Sequence, residues 1–166
     1  MAAWLGRGFR ERGNITIELA LALPLLLFMV AGVLDLGMLF WEKHILTNAT
    51  REGARAAIQA LETGSGLVAA KTQAQVRQVV QDYLNRFHLK DLNGDNLVLD
   101  DTNFSYTWDN SGSGIMVTVA LNRIPYRMML LPNFRAFFGY ERSPGDEAFY
   151  LSSRTRMAAE WVTPPS

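Results

Sequence analysis

The feature that most constrains this chain is an apolar run near its N-terminus. Leu19–Leu34 contains no polar side chain, and after Asp35 the apolar residues continue to Trp41. As one helix, residues 19–41 span about 34 Å, which exceeds the hydrocarbon thickness of a bilayer, about 30 Å. The run therefore predicts a single transmembrane helix, and the rest of the fold must be compatible with that anchor.

The charges before the run predict its orientation. Arg7, Arg10 and Arg12 precede it, and loops rich in arginine and lysine are retained in the cytoplasm. The N-terminus is therefore predicted in the cytoplasm, with everything after Trp41 on the other side of the membrane. Trp41 would lie at the outer interface, where indole rings are favoured.

Composition removes several classes of function. The 16 basic and 16 acidic residues balance, so no clustered positive charge predicts a nucleic-acid partner. Without cysteine there are no disulfides, thiolate nucleophiles or cysteine-based metal sites. The two histidines lack a second ligand at helical spacing. We expect no enzyme, no cofactor and no resident metal.

The sequence beyond the span predicts an α+β fold. The first helix should continue to about Leu61, ended by Thr63–Gly66, and a second amphipathic helix is predicted over 67–87. Alternating apolar and polar residues predict three strands, and Gly and Asn mark turns between elements. The strands lie within 97–108, 114–122 and 149–161, with turns at 91–96 and 110–114 and a short helix and loop in 126–146.

Glu18 lies at the start of the apolar run, where an ionised carboxylate is costly in lipid. A cleavable secretory signal is one explanation of this N-terminus, but the run is longer than such signals and passes the small-residue site at 30–32. A plain signal anchor, with Glu18 as its polar boundary, is a second. Neither explains the spacing between Gly13 and Glu18.

The third explanation is a class III signal, as in type IV prepilins. There a basic leader ends in glycine, a prepilin peptidase cuts after it, and glutamate is the fifth residue after the cut. Gly13, Asn14 and Glu18 fit this pattern. The cut would create an ammonium on Asn14, about 6 Å along the helix from the Glu18 carboxylate. A neighbouring subunit shifted by that distance would pair the two charges.

The sequence downstream resembles a known family. Residues 18–40, with Pro24 and Asp35, and the following Asn48–Ala57 are similar to TadE-like pseudopilins, minor components of the tight-adherence (Tad or Flp) pilus. The most distinctive part is a short motif in the extended helix, formed by Arg51, Glu52, Gly53, Ala54 and Arg55. The resemblance implies a pilin-like fold in the inner membrane of a bacterium, with other pilins, the Tad assembly machinery and membrane lipid as partners.

Several positions in the helix have two interpretations. Pro24 either kinks the helix or is merely tolerated in the membrane. Asp35 either reaches the outer interface or contacts another helix of the assembly. Gly53 would permit close packing against the sheet.

These features predict four segments: a leader (1–13), a transmembrane helix (14–41), a helical stalk (42–61) and an extracytoplasmic head (62–166). The leading hypothesis is a minor pilin, processed after Gly13, that acts in assembly or priming of a Tad pilus and thereby in surface adhesion. The alternative is an uncleaved, membrane-anchored binding module. Its candidate site is Asp91–Thr102, which has Asp91, Asn93 and Asp95 at calcium-loop spacing but lacks the glycine and final acid of an EF-hand.

Overall fold

The computed structural model describes residues 8–110, 114–130 and 148–165, without the side chains of 8–14 and 148. It contains two helices and five strands in the described residues. They are α1 (Gly8–Ile58), β1 (Ala60–Thr63), β2 (Gly66–Ala69), α2 (Gln73–Arg86), β3 (Phe104–Asn110), β4 (Ile115–Arg127) and β5 (Ala148–Ala158). The predicted α+β class is confirmed: a long N-terminal helix precedes a shorter helix and small antiparallel sheets.

The described residues form two compact units. The first contains residues 8–38 and 128–130, and the second contains 39–110, 114–127 and 148–165. Helix α1 contributes to both. It is continuous through Pro24, which is one of its internal residues.

In the second unit, α1 supplies one wall of the hydrophobic core. Small side chains predominate at its buried positions, which lets the helix lie close to its neighbours. The buried residues of this part of α1, which belongs to the predicted stalk (42–61), pack with buried residues of α2 and the sheet. These residues are Ile45, Leu46, Ala49, Ala54 and Ala57.

Helix α1 ends at Ile58, three residues before the predicted end. Ala60–Thr63 instead pairs with Gly66–Ala69 as an antiparallel hairpin. The Thr63 hydroxyl donates to the Gly66 carbonyl at 2.9 Å, and Gly66 has a φ of 114°, a conformation that favours glycine. The Thr63–Gly66 segment is therefore the turn of a hairpin.

Helix α2 begins at Gln73, six residues later than predicted, because a capping box defines its start. Thr72 is the N-cap: its side chain accepts from the Gln75 amide, and the Gln75 side chain accepts from the Thr72 amide. Val76, Val80 and Leu84 form the buried face of the helix, as their spacing predicts.

The larger sheet has the strand order β3-β4-β5, with both neighbours antiparallel to β4. Phe104 pairs with Leu121 in the first ladder, and Met116 pairs with Ala158 in the second. An irregularity between Leu121 and Ile124 bends β4, and Arg123 within it has a φ of 52°. The predicted strand over 114–122 is therefore extended to Arg127.

The chain segment after β5 closes the second unit at the end of α1. Trp161 is 1% exposed, and its indole nitrogen donates to the Ala57 carbonyl at 2.8 Å. The Glu160 amide donates to the Ile58 carbonyl at 3.1 Å. Carbonyls in the last turn of a helix have no partner within it, so this segment caps α1.

Two predicted features lie outside the described residues. The centre of the predicted hairpin loop at 110–114 is one, although its flanks, Asn110 and Ile115, are paired. Most of the predicted helix and loop within 126–146 is the other.

Candidate functional site

The candidate site is the N-terminal part of α1, residues 15–41, whose side chains are mostly apolar and exposed. Over the most apolar stretch of 18 residues the mean hydropathy is 2.5, and only 6% of those residues are buried within the protein. A water-facing helix would not expose so many large aliphatic side chains. By length and composition this one helix fits a single-pass membrane anchor.

The residues of the predicted cleavage motif lie on this helix. Gly13 and Asn14 are in its backbone, and the Glu18 side chain is exposed. Glu18 follows Asn14 by four residues, so the two lie about one turn apart. The predicted roles of all three residues stay predictions.

Asp35 occupies a position that neither interpretation of the sequence foresaw. It is 1% exposed and lies against its own chain. Its carboxyl oxygens accept from the backbone amides of Met129 at 3.2 Å and Leu130 at 3.1 Å. Met129 and Leu130 follow Asp35 by 94 and 95 positions in the sequence. No local sequence pattern relates residues that far apart, so the sequence could not reveal this contact.

The motif at residues 51–55 divides between two faces of α1. Gly53 and Ala54 are buried, whereas Arg51, Glu52 and Arg55 are exposed. A Cβ atom on Gly53 would lie 2.4 Å from Val80 Cγ2 and 3.3 Å from Val119 Cγ1. The prediction that Gly53 permits close packing on the sheet is confirmed, and α2 packs there as well.

Hydroxyl groups join α1 to β5 close to this motif. Thr50 Oγ1 lies 3.1 Å from Ser153 Oγ and 2.9 Å from Thr155 Oγ1, and it donates to the Thr47 carbonyl at 2.9 Å. Thr50 is fully buried, so these bonds satisfy a hydroxyl that would otherwise be costly to bury. Lys43 Nζ also donates to the Ser152 carbonyl. These contacts fix α1 against the sheet.

Two aromatic contacts lie where α1 enters the second unit. The rings of Trp41 and Phe87 meet edge to face with centroids 6.4 Å apart, and Tyr83 lies 5.3 Å from Phe87. Glu42 follows directly, and burial raises its pKa from 4.5 to about 7.

The acidic loop gives little support to a calcium site. An Asp91 carboxyl oxygen accepts from the backbone amides of Asn93 at 2.8 Å and Asp95 at 3.0 Å, so it is used within its own turn. Asp100 behaves similarly, and hydrogen bonds from Thr102 and Asn103 lower the pKa of its carboxyl. Among the described residues, no three acidic or histidine side chains are grouped to hold a metal.

A cavity lies beside β3. It has a volume of about 330 Å³ and is lined by Gln73, Tyr106, Thr107, Trp108 and Pro165. The Tyr106 hydroxyl has no hydrogen-bond partner within the described part of the chain, and burial raises its pKa. The described residues that line the cavity contribute one amide, one aliphatic hydroxyl and two aromatic rings, and none of these side chains carries a full charge at neutral pH.

Comparison with known protein families gave a match to part of the chain. The model of the TadE-like protein family matches residues 13–55, from the predicted cleavage glycine to the last residue of the Arg51–Arg55 motif. Over these residues the chain is similar to TadE-like proteins. The resemblance inferred from the sequence is thereby confirmed over these residues. The match covers most of α1 and none of the sheet.

No curated protein and no solved structure matched the chain. The comparisons therefore found no relative for α2 or for either sheet.

Proposed function

We propose that this protein is a minor pilin of a Tad-type pilus, anchored by α1 and processed by a prepilin peptidase after Gly13. The observation that carries the proposal is the TadE-like match over residues 13–55, on a helix that exposes apolar side chains before Trp41 and packs small ones after it. A structural subunit needs both surfaces. Lipid or neighbouring subunits take the first, and its own head takes the second.

The proposed topology follows from charge. The arginines before the span keep the N-terminus in the cytoplasm, and the α+β unit then lies outside the inner membrane. From this position the protein either remains in the membrane and primes assembly, or enters the surface pilus and contributes to adhesion. Its partners would be other pilins and the Tad assembly machinery.

Processing is tested by sequencing the N-terminus of the protein from its native host. The proposal expects a chain that starts at Asn14. Gly13→Arg should abolish the cut because the peptidase requires a small residue there, while membrane insertion continues. Gly6→Arg adds the same charge earlier in the leader and should still be cut.

An intact N-terminus in the presence of the peptidase would favour the alternative, an uncleaved anchored binding module. Mature-size protein from Gly13→Arg would exclude cleavage at this glycine.

The role of Glu18 gives a second test. If its carboxylate pairs with the Asn14 ammonium of an adjacent subunit, Glu18→Ala leaves that ammonium buried without a partner, at a cost of several kcal/mol. We expect normal protein in the membrane fraction and strongly reduced surface pili. Glu62→Ala, which removes an exposed glutamate of β1, is the control and should leave piliation unchanged.

Normal piliation in Glu18→Ala would show that Glu18 only marks the start of the span. The processing proposal would survive that result, because cleavage is measured separately.

A further inference from the structure

A short segment after β4 is held against the apolar part of α1. The amides of Met129 and Leu130 both donate to the Asp35 carboxyl, and Leu130 reaches both of its oxygens at 3.1 Å. Ala31, one turn before Asp35, is buried on the same face of the helix. These two are the only buried positions among residues 15–38.

The side chains of this segment remain exposed. Met129 is 64% exposed and Leu130 is 41% exposed. Within α1, the neighbours of Asp35 in sequence are also apolar and exposed: Leu34 is 53% exposed and Leu36 is 48% exposed. In the first unit, α1 and the segment after β4 therefore both expose apolar side chains at the position of Asp35 along the helix.

Asp35 lies inside the predicted span, six residues before its end at Trp41, or about 9 Å along the helix. At that depth a non-helical backbone must have its polar groups satisfied by protein, since hydrocarbon offers no hydrogen bonds. The Asp35 carboxyl does this for two consecutive amides. A buried Asp35 carboxyl and exposed apolar side chains are both expected of a surface that contacts lipid.

We propose that Met128–Leu130 enters the outer leaflet beside α1, with Asp35 as the residue that positions it. The occupant of the exposed Met129 and Leu130 surface is lipid. This surface is continuous with the apolar surface of the span. The amides of Met129 and Leu130 already donate to Asp35 within the same chain, so they need no partner molecule. The inference rests on the proposed function, because it requires α1 to span the membrane.

The chain contains no cysteine, so single cysteines can be placed in the full-length protein without background. An environment-sensitive fluorophore is attached to Met129→Cys in nanodiscs whose lipids carry a nitroxide quencher near the headgroup or deep in the acyl chain. Leu27→Cys, in the middle of the span, is the positive control. Val98→Cys, 70% exposed in the second unit, is the negative control.

We expect the fluorophore at position 129 to be quenched by the shallow nitroxide, and the one at position 27 by the deep nitroxide. Position 98 should lose no fluorescence with either lipid. Quenching at 27 together with a response at 129 equal to that at 98 would overturn the inference and leave the proposed function intact. No quenching at 27 would instead contradict the membrane span and both proposals.

A second copy of the chain is the competing occupant of this surface. It would give rapid disulfide crosslinking of Met129→Cys between protomers without quenching by lipid, and that result would also overturn the inference.

The positioning role of Asp35 is tested in the Met129→Cys background. Asp35→Asn keeps the size of the side chain but replaces one acceptor oxygen with a donor group. We expect quenching at position 129 to fall toward the value at Val98→Cys, while quenching at Leu27→Cys is unchanged. Unchanged quenching at both positions would show that Asp35 does not hold the segment in the membrane.

Discussion

The two parts of α1 use apolar residues in opposite ways. The N-terminal part, residues 15–41, carries large aliphatic side chains and exposes most of them, whereas the C-terminal part, residues 42–58, buries mostly small ones together with Ile45 and Leu46. The hydrophobicity of their residues alone would predict that both parts of α1 are buried within the protein. Side-chain size separates them, because large exposed side chains suit lipid and small ones let a protein surface approach the helix backbone.

The comparison also explains why the motif at residues 51–55 mixes glycine and alanine with charges. Gly53 faces α2 and the sheet and Ala54 is buried in the core, whereas Arg51 and Arg55 are exposed. Residues that alternate in this way along a helix define a packed face and a solvated one. The motif therefore marks the part of α1 that belongs to the α+β unit.

The largest loss of stability is expected from a substitution at the cap of the C-terminal part of α1. Trp161→Ala should cost about 3–5 kcal/mol in free energy of unfolding, since it empties a fully buried site and leaves the Ala57 carbonyl unpaired. Trp41→Ala, which truncates a half-exposed indole on the same helix, should cost much less.

Hydrogen exchange of the β4 amides in the full-length protein in nanodiscs measures both losses. Equal losses from the two variants would mean that the two parts of α1 do not differ in how strongly they support the head.

A smaller effect is expected from a pair of glycines, one in each part. At Gly53 an added Cβ would lie 2.4 Å from Val80 Cγ2, and a β-branched neighbour has little freedom to move. Gly53→Ala should therefore cost about 1–3 kcal/mol from overpacking, reduced by the roughly 1 kcal/mol that alanine gains in helix propensity. At Gly37 the same Cβ meets no atom of the described residues within 4 Å.

Gly37→Ala should consequently be neutral or slightly stabilising. The same hydrogen-exchange measurement compares the two variants. A larger loss of stability from Gly37→Ala than from Gly53→Ala would mean that the N-terminal part of α1, and not the C-terminal part, is the closely packed one.

Local patterns predicted the elements that local forces determine. The spacing of Val76, Val80 and Leu84 identified the buried face of α2, and alternation identified the centres of the three long strands. The start of α2 could have been found from the Thr72 and Gln75 capping box, which the sequence contains.

The errors arose where distant segments override local preference. Ala60, Leu61 and Glu62 are good helix formers, yet they lie in a hairpin because they pair with β2, whose Leu67 carbonyl in turn accepts from Val162 near the C-terminus. In a similar way, Leu97–Leu99 has the composition of a strand. Its backbone instead bonds to the Gln81 side chain, which accepts from Leu99 at 2.7 Å and donates to Leu97 at 2.8 Å.

The candidate site shows the same limit. The sequence predicted the apolar helix, its leader motif and its family resemblance, all of which depend on short spacings. It could not predict that Asp35 would bond to a segment more than 90 residues away, because a single sequence contains no signal for that pairing.

The smallest effect concerns the junction between the two parts of α1. Burial raises the pKa of Glu42 to about 7 from 4.5, so the folded protein holds this proton more tightly than the unfolded chain. The stability that this contributes is fully present below pH 4.5, falls as the pH rises toward 7, and is lost above that. Glu42→Gln carries no titrating group, so it should abolish this pH dependence, and it should be more stable than the parent at pH 8 because it places no ionised carboxylate in the partly buried site. Glu52→Gln, the same substitution on the exposed face of the same helix, is the matched control. Unfolding measured between pH 4 and 8 for the three proteins tests this expectation. A parent and a Glu42→Gln variant with the same slope would show that the junction is as open to solvent as the face that carries Glu52.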